Sequence, residues 1–334
     1  MNIFLRVLLL GLILQAPLLN ASTIKIATIS PDGLSWMKKL RAGAKQIEGL
    51  TEGRVKFKIY PGGVQGDDAT VLRKMRIGQL HGGVLAAGSL TRFYPDLQIY
   101  NLPLQFRSSA EVKYIRGKMD QMISNGLSEA GIVTFAFTET GFAYLMSKEP
   151  VTSVANLKNL KAWIPDGDPI AAELVKSFGV SPIPLNITDV LAGLQTGLIN
   201  AVMAPPAVAL ALQWHNHVDY ITDLPLVYIY SMMAMEGKVF NRIGEDDKLI
   251  IKEVMNRVFA EVERETRIDN ERALQAISTV GVRSVKVSDD ELAEWQSMAD
   301  LSVSNLVRSG EISEKSVRLY LANLQSYRGE DGIK

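Results

Sequence analysis

Residues 157–206 read LKNLKAWIPDGDPIAAELVKSFGVSPIPLNITDVLAGLQTGLINAVMAPP, and this stretch decides the fold. A short strand from Lys161 to Ile164 is stopped by Pro165. A helix from Ile170 to Phe178 is stopped by Gly179, and a second strand lies around Ile183. A second helix, Ile187 to Thr196, is closed by Gly197. A third strand, Leu198 to Met203, runs into the breaker pair Pro205-Pro206. Apolar residues recur at helical spacing in the helices and run together in the strands, the pattern of βαβαβ with parallel strands. Ligands of such sheets sit beyond the carboxyl ends of the strands. Trp163 and Ala204 fall at two of those ends.

Composition bounds the rest. The chain has 334 residues, 47% hydrophobic and 22% charged, which suits a globular protein of about two domains. Its 36 basic and 36 acidic residues cancel, and no basic stripe with interleaved aromatics points to nucleic acid. The opening segment has one early charge at Arg6, an apolar core from Val7 to Leu19 and a small residue at Ala21. That is the pattern of a secretory signal occupying 1–21. There are no cysteines, which removes disulfides and a lipid-bearing thiol.

Outward from the deciding stretch, the N-terminal part repeats the strand–helix rhythm. It has strand Ile24 to Ile29, a helix through Trp36 to Gln46, strand Val55 to Tyr60, a helix from Ala69 to Ile77 and an apolar strand near Val84. Extended segments at Phe135 to Met146 and Leu226 to Met235 read as crossings between two lobes. Glu245 to Val280 has no glycine or proline and carries Ile251, Met255, Val258, Phe259 and Val262 at helical spacing, so it reads as one long helix. The expected architecture is α/β and bilobed, with two hinge-connected domains and that helix spanning both. Lobe I takes 22–140 and 229–262; lobe II takes 141–228 and 263–334, including the C-terminal helices.

Signals of catalysis are weak. His215 and His217 stand two apart at the end of a helical pattern, where a solvated helix end explains them better than a metal site with a third ligand. Pro61-Gly62-Gly63-Val64-Gln65-Gly66 lacks the lysine and hydroxyl that end a phosphate loop, and reads as a tight turn. Asp67 and Asp68 follow as helix-capping residues. No nucleophile, base and orienting acid stand together, so neither an enzyme nor a cofactor or metal is expected.

Several motifs in order carry a family resemblance. LKNLKAWIPDGD, FGVSPIPLNITDVLAGLQTGLINAVMAPP, LTEGRVKFKIYPGGVQGDD, LRKMRIGQLHGGV, FYPDLQIYNLPLQFRS and EAGIVTFAFTETGF together resemble the solute-binding component of TRAP transporters, the DctP-like periplasmic receptors. The resemblance covers nearly the whole chain after Thr23. It implies a bilobed periplasmic solute-binding-protein fold. It also implies a location in the periplasm and a membrane permease of small and large subunits as partner.

The departures from the family pattern are chemically consistent. Trp163 stands where the family usually has an arginine that pairs with a substrate carboxylate, and Ala204 replaces its asparagine. Ala143 stands in place of a second arginine, and Ala86 in place of a polar residue. A bidentate guanidinium is the usual holder of a carboxylate, so a cleft without one implies a small apolar or amphipathic ligand. Similar losses suggest the branch that works with a periplasmic TPR-repeat protein. The candidate ligand-facing residues are Trp163, Ala204, Ala86, Ala143, Phe142, Met203, Met233 and Trp36. Two readings stay open for Trp163, as a ligand contact or as a plug that fills the cleft. Met232, Met233 and Met235 read as core filler or as an adaptable wall, and Phe142 and Tyr144 as cleft wall or hinge packing. Two rival readings stand beside this one: an organic-acid receptor with the carboxylate partner moved to Lys148, Lys161 or Arg92, and a non-transport scaffold or chaperone that uses the fold without a solute, which a cleft filled by Trp163 itself would favour.

Overall fold

The computed structural model describes residues 22–331; the expected signal segment lies outside them. Eleven strands form one continuous sheet among the described residues. They are β1 (Ser22–Ala27), β2 (Val55–Tyr60), β3 (Gly82–Ala86), β4 (Ile132–Thr134), β5 (Thr138–Ser147), β6 (Ala162–Pro165), β7 (Pro182–Leu185), β8 (Ala201–Ala204), β9 (Tyr220–Thr222), β10 (Val227–Glu236) and β11 (Arg283–Val285). The main order is β2-β1-β3-β10-β5-β8-β6-β7. The helices are α1 (Ser35–Leu50), α2 (Asp68–Arg76), α3 (Ser109–Glu129), the single turn α4 (Val154–Leu157), α5 (Pro169–Ser177), α6 (Val190–Thr196), α7 (Pro206–Ala211), the single turn α8 (Gly237–Phe240), α9 (Glu245–Thr279), α10 (Asp289–Ser309) and α11 (Glu314–Asp331).

The deciding stretch folds as its periodicity demands. β6 pairs in parallel with β7 on one side and β8 on the other, which makes β6-α5-β7-α6-β8 a βαβαβ unit. β10 and β5 are the two crossing strands, antiparallel to each other from Val227↔Ala143 to Ser231↔Thr138. Their other ends pair with β3 in lobe I and β8 in lobe II. Each crossing strand therefore belongs to both lobes, which is why a ten-residue strand is needed where an ordinary one runs five or six.

Helix α9 is 35 residues long and opens with Glu245, Asp246 and Asp247, acidic side chains that suit a helix N-terminus. Arg54 holds Asp247 at 2.9 Å and fixes that end to lobe I. Further along, Gly43 of α1 lets the two helices touch, since a Cβ there would lie 2.7 Å from Val258 Cγ2. At the hinge Asn270 donates to Thr140 O at 2.9 Å and accepts from Ala207 N at 3.1 Å, tying the helix to a crossing strand and to α7. Ile277, near its end, is buried in lobe II.

Gly62, Gly63 and Gly66 all take positive φ, as the tight turn between β2 and α2 requires. Asp67 caps α2 through Thr70 N at 2.8 Å. Asp68 does something other than cap. Its Oδ2 accepts from Ala86 N at 2.9 Å, Oδ1 is buried without a partner, and burial pushes the carboxyl up to about 6.

The C-terminal helix lies elsewhere than the lobe division drawn from the sequence. Ile312, Val317, Tyr320 and Leu324 join the same core as Val112, Ile115 and Tyr100 of lobe I. Arg328 reaches Glu111 of α3 at 2.7 Å. An amphipathic helix announces its apolar face but not which lobe that face will cover.

Candidate functional site

The sheet of lobe II has two faces, and strand alternation sends neighbouring side chains to opposite ones. One face carries Met146, Trp163, Val202 and Ala204 and is covered by α6, α7 and the 3-10 turn Trp214–His217. Trp163 meets Trp214 edge to face, with ring centroids 5.1 Å apart, and donates its indole N–H to Leu185 O at 2.9 Å. Its polar atom is satisfied and its ring is 7% exposed, so this face is filled. His215 and His217 sit on that turn, with His215 Nδ1 against Ala209 O.

The other face carries Leu145, Ala162, Ala201 and Met203 and is covered by α5 and α10. Here packing is incomplete. A cavity of about 160 Å³ runs under the sheet, and α5 turns Ile170, Ala171, Leu174, Val175 and Phe178 toward it. Those positions repeat as i, i+1, i+4, i+5 and i+8, one side of a helix. Leu226, Val227 and Ile229 of the crossing segment close another side, and Trp295 of α10 stands against Phe178 at 5.4 Å. Lobe I supplies the remaining end through Gln98, Asn101 and Pro103, in or just after the 3-10 segment Pro95–Asn101. The cavity thus lies at the junction of the lobes, mostly on the lobe II side.

Its polar groups gather at that junction. Asp168, the N-cap of α5, accepts on Oδ1 from Ile170 N at 3.0 Å, Ala171 N at 3.1 Å and Gln98 Nε2 at 3.2 Å. Gln98 belongs to lobe I, so this last bond bridges the lobes. Gly88 makes the approach possible, because a Cβ there would lie 2.5 Å from Gln98 Nε2 and 2.6 Å from Asp168 Oδ2. Burial raises the Asp168 carboxyl above its ordinary value against the pull of those three donors. Two buried polar atoms of wall residues have no partner among the described residues: Asn101 Oδ1 and Trp295 Nε1. Such atoms are uncommon in folded proteins and ask for an explanation. Close by, Leu104 takes a left-handed φ of 54°, held by its N–H on Leu226 O at 2.8 Å; strain of this kind in a non-glycine residue concentrates at functional regions.

Of the eight residues expected to face ligand, Trp163 and Met203 border this cavity. Ala204 and Ala143 are buried on β8 and β5, one on each face of the lobe II sheet. Phe142 packs edge-on against Tyr228 at 5.5 Å, in the hinge. Met233 is fully buried in the lobe I core with Trp36 packed against that core, and Ala86 donates its N–H to Asp68. The structure does not bring these together around one space. The residues that sequence reading passed over are Asp168, Gln98, Leu174, Val175, Phe178 and Trp295. Asp168-Pro169 is a legible helix start, with an acidic cap and proline at the first helical position; the partnership with Gln98, 70 residues away, has no local signal.

Residues 26–309 match the bacterial extracellular solute-binding proteins, family 7, and the chain belongs to that family. Its members and structural neighbours are solute-binding receptors, not enzymes. The C4-dicarboxylate-binding periplasmic protein DctP of Rhodobacter capsulatus is 24% identical over 264 residues, 76% of this chain and 78% of that one. The sialic acid-binding periplasmic protein SiaP of Vibrio cholerae is 19% identical over 71% of this chain and 74% of its own length. Among solved structures, a TRAP periplasmic solute-binding protein from Desulfovibrio salexigens with bound orotic acid superposes with a TM-score of 0.83. It shares 20% identity, over 91% of this chain and 99% of that one. These likenesses establish the bilobed fold.

Proposed function

We propose that the protein is a periplasmic receptor of a TRAP-type transporter that carries a small apolar or amphipathic molecule in the cavity beneath α5 and delivers it to a permease of small and large membrane subunits. The observation that carries this reading is the composition of the cavity wall. Nineteen of its 24 residues are aliphatic, aromatic or methionine, two are proline, and none is lysine, arginine or histidine. A carboxylate enclosed there would meet no cation, and burying an unpaired charge is far costlier than leaving it in water. A small apolar guest meets no such cost; an engineered cavity of roughly 150 Å³ lined by leucine, isoleucine and phenylalanine binds benzene.

The acids held by relatives favour the organic-acid alternative, but the cations nominated for it are engaged elsewhere. Lys148 pairs with Asp219 at 3.4 Å, Lys161 reaches Gly197 O, and Arg92 lies over the Phe93 ring. None borders the cavity. The TPR-repeat partner rests on the Trp163 replacement alone, and co-purification from the periplasm tests it.

Thermal melting discriminates the two readings. Binding to the native state raises apparent stability by about 2.7 kcal/mol when ligand stands a hundredfold above its dissociation constant. Toluene is expected to raise the melting temperature, while succinate, orotate and galacturonate leave it unchanged. A clear shift with any of those acids and none with toluene would replace this reading with the organic-acid one.

A further inference from the structure

The cavity's single charged wall residue, Asp168, sits at the end where lobe I closes it. Asp168 Oδ1 already accepts from Ile170 N, Ala171 N and Gln98 Nε2, whereas Oδ2 takes no bond among the described residues. An ionised carboxylate can accept about four bonds, so acceptor capacity is left over at the cavity. An acceptor with spare lone pairs at one end of an otherwise apolar slot asks for a donor.

A helix N-terminus normally welcomes an anion through its free N–H groups and dipole. At α5 that position is taken. Pro169 has no N–H, and the next two N–H groups are spent on Asp168 itself. An incoming carboxylate would therefore find no donor and would face a fixed negative charge. Apolar residues line α5 from Ile170 to Phe178, a span of about 12 Å at the helical rise, which leaves room for a short chain running away from Asp168.

Resting on the reading of the cavity as the ligand site, we propose that Asp168 Oδ2 accepts a hydrogen bond from the head group of the ligand. The receptor thereby takes apolar molecules ending in a hydroxyl or ammonium group and refuses those ending in a carboxylate. The specificity of the site then differs from that of the relatives that bind C4-dicarboxylates and sialic acid: this one excludes acids.

The test uses three probes of one chain length, hexan-1-ol, hexylammonium and hexanoate, titrated into the purified protein at pH 8. Binding is read by tryptophan fluorescence, to which Trp295 in the cavity wall contributes, and by the melting temperature. Hexanol and hexylammonium are expected to bind, with hexanoate at least tenfold weaker than either. Asp168→Asn and Asp168→Ser both keep a capping side chain, so α5 retains its start. Both are expected to shrink the preference for hexylammonium over hexanoate by at least tenfold. If hexanoate binds the unaltered protein as tightly as hexylammonium, or if neither substitution changes the ratio, the role of Asp168 is overturned while the apolar site stands. If none of the three probes binds, the apolar site itself is wrong and this inference falls with it.

Discussion

The two faces of the lobe II sheet are built from the same strands and have opposite packing. On one, Trp163 and Trp214 meet at 5.1 Å, the indole N–H is bonded, and Val190, Ile199, Val218 and Ile221 close around them. On the other, α5 and α10 stand off the sheet and leave about 160 Å³ unfilled. The indole at the position where the resemblance leads one to expect a ligand-holding arginine thus packs against Trp214 with its N–H bonded to Leu185 O. The open volume has moved to the side where small residues, Ala162 and Ala201, point. A protein interior is normally packed as tightly as an organic crystal, and the cavity on one face beside a full face is the space the proposed ligand would take.

If that contrast is right, the faces respond differently to truncation. Trp214→Ala removes a side chain that is 1% exposed and strands the Trp163 ring, at a cost of about 3–5 kcal/mol. Urea unfolding measures it, and a loss under about 1 kcal/mol would mean that the filled face is not well packed.

Lobe I supplies a buried carboxyl for contrast with Asp168. Asp68 is pushed up to about 6 from an ordinary 3.8, so its contribution to stability is complete below the unfolded value and is lost as pH rises through 6. The term is on the order of 2–3 kcal/mol. Asp68→Asn keeps the bond from Ala86 N and removes the titration. It should raise stability at pH 7.5, leave it unchanged near pH 4 and flatten the profile between, as melting curves across that range would show. An unchanged profile would mean that the carboxyl is solvated.

The smallest effect is expected on the hollow face. Leu174→Ala enlarges a space that already exists and should cost about 2 kcal/mol, at the low end for such truncations and well below Trp214→Ala. Equal costs for the two substitutions would erase the contrast between the faces.

Much of this was legible in the residues. The βαβαβ order, the crossing strands and the long helix follow from period, glycine and proline punctuation, and each lies within a few residues of where the sequence puts it. The direction of Trp163 was not legible, because a tryptophan at a strand end suits a cleft and a core equally, and only Trp214, 51 residues on, decides between them. Met233 shows the same limit. β10 is buried on both sides along much of its length, with Met232, Met233, Ala234 and Met235 all inaccessible, so alternation carries no information about which side is the cleft. A void has no residue of its own. The apolar stripe from Ile170 to Phe178 predicts a buried helix face, and a cavity appears only when the distance to the sheet is known.

The most direct measurement is native mass spectrometry of the protein purified from the periplasm without denaturation, set beside Val175→Trp, which fills the cavity from α5. The unaltered protein should carry an apolar or amphipathic adduct that is absent from the Val175→Trp protein. A small hydrophilic acid bound to both proteins alike would contradict the account.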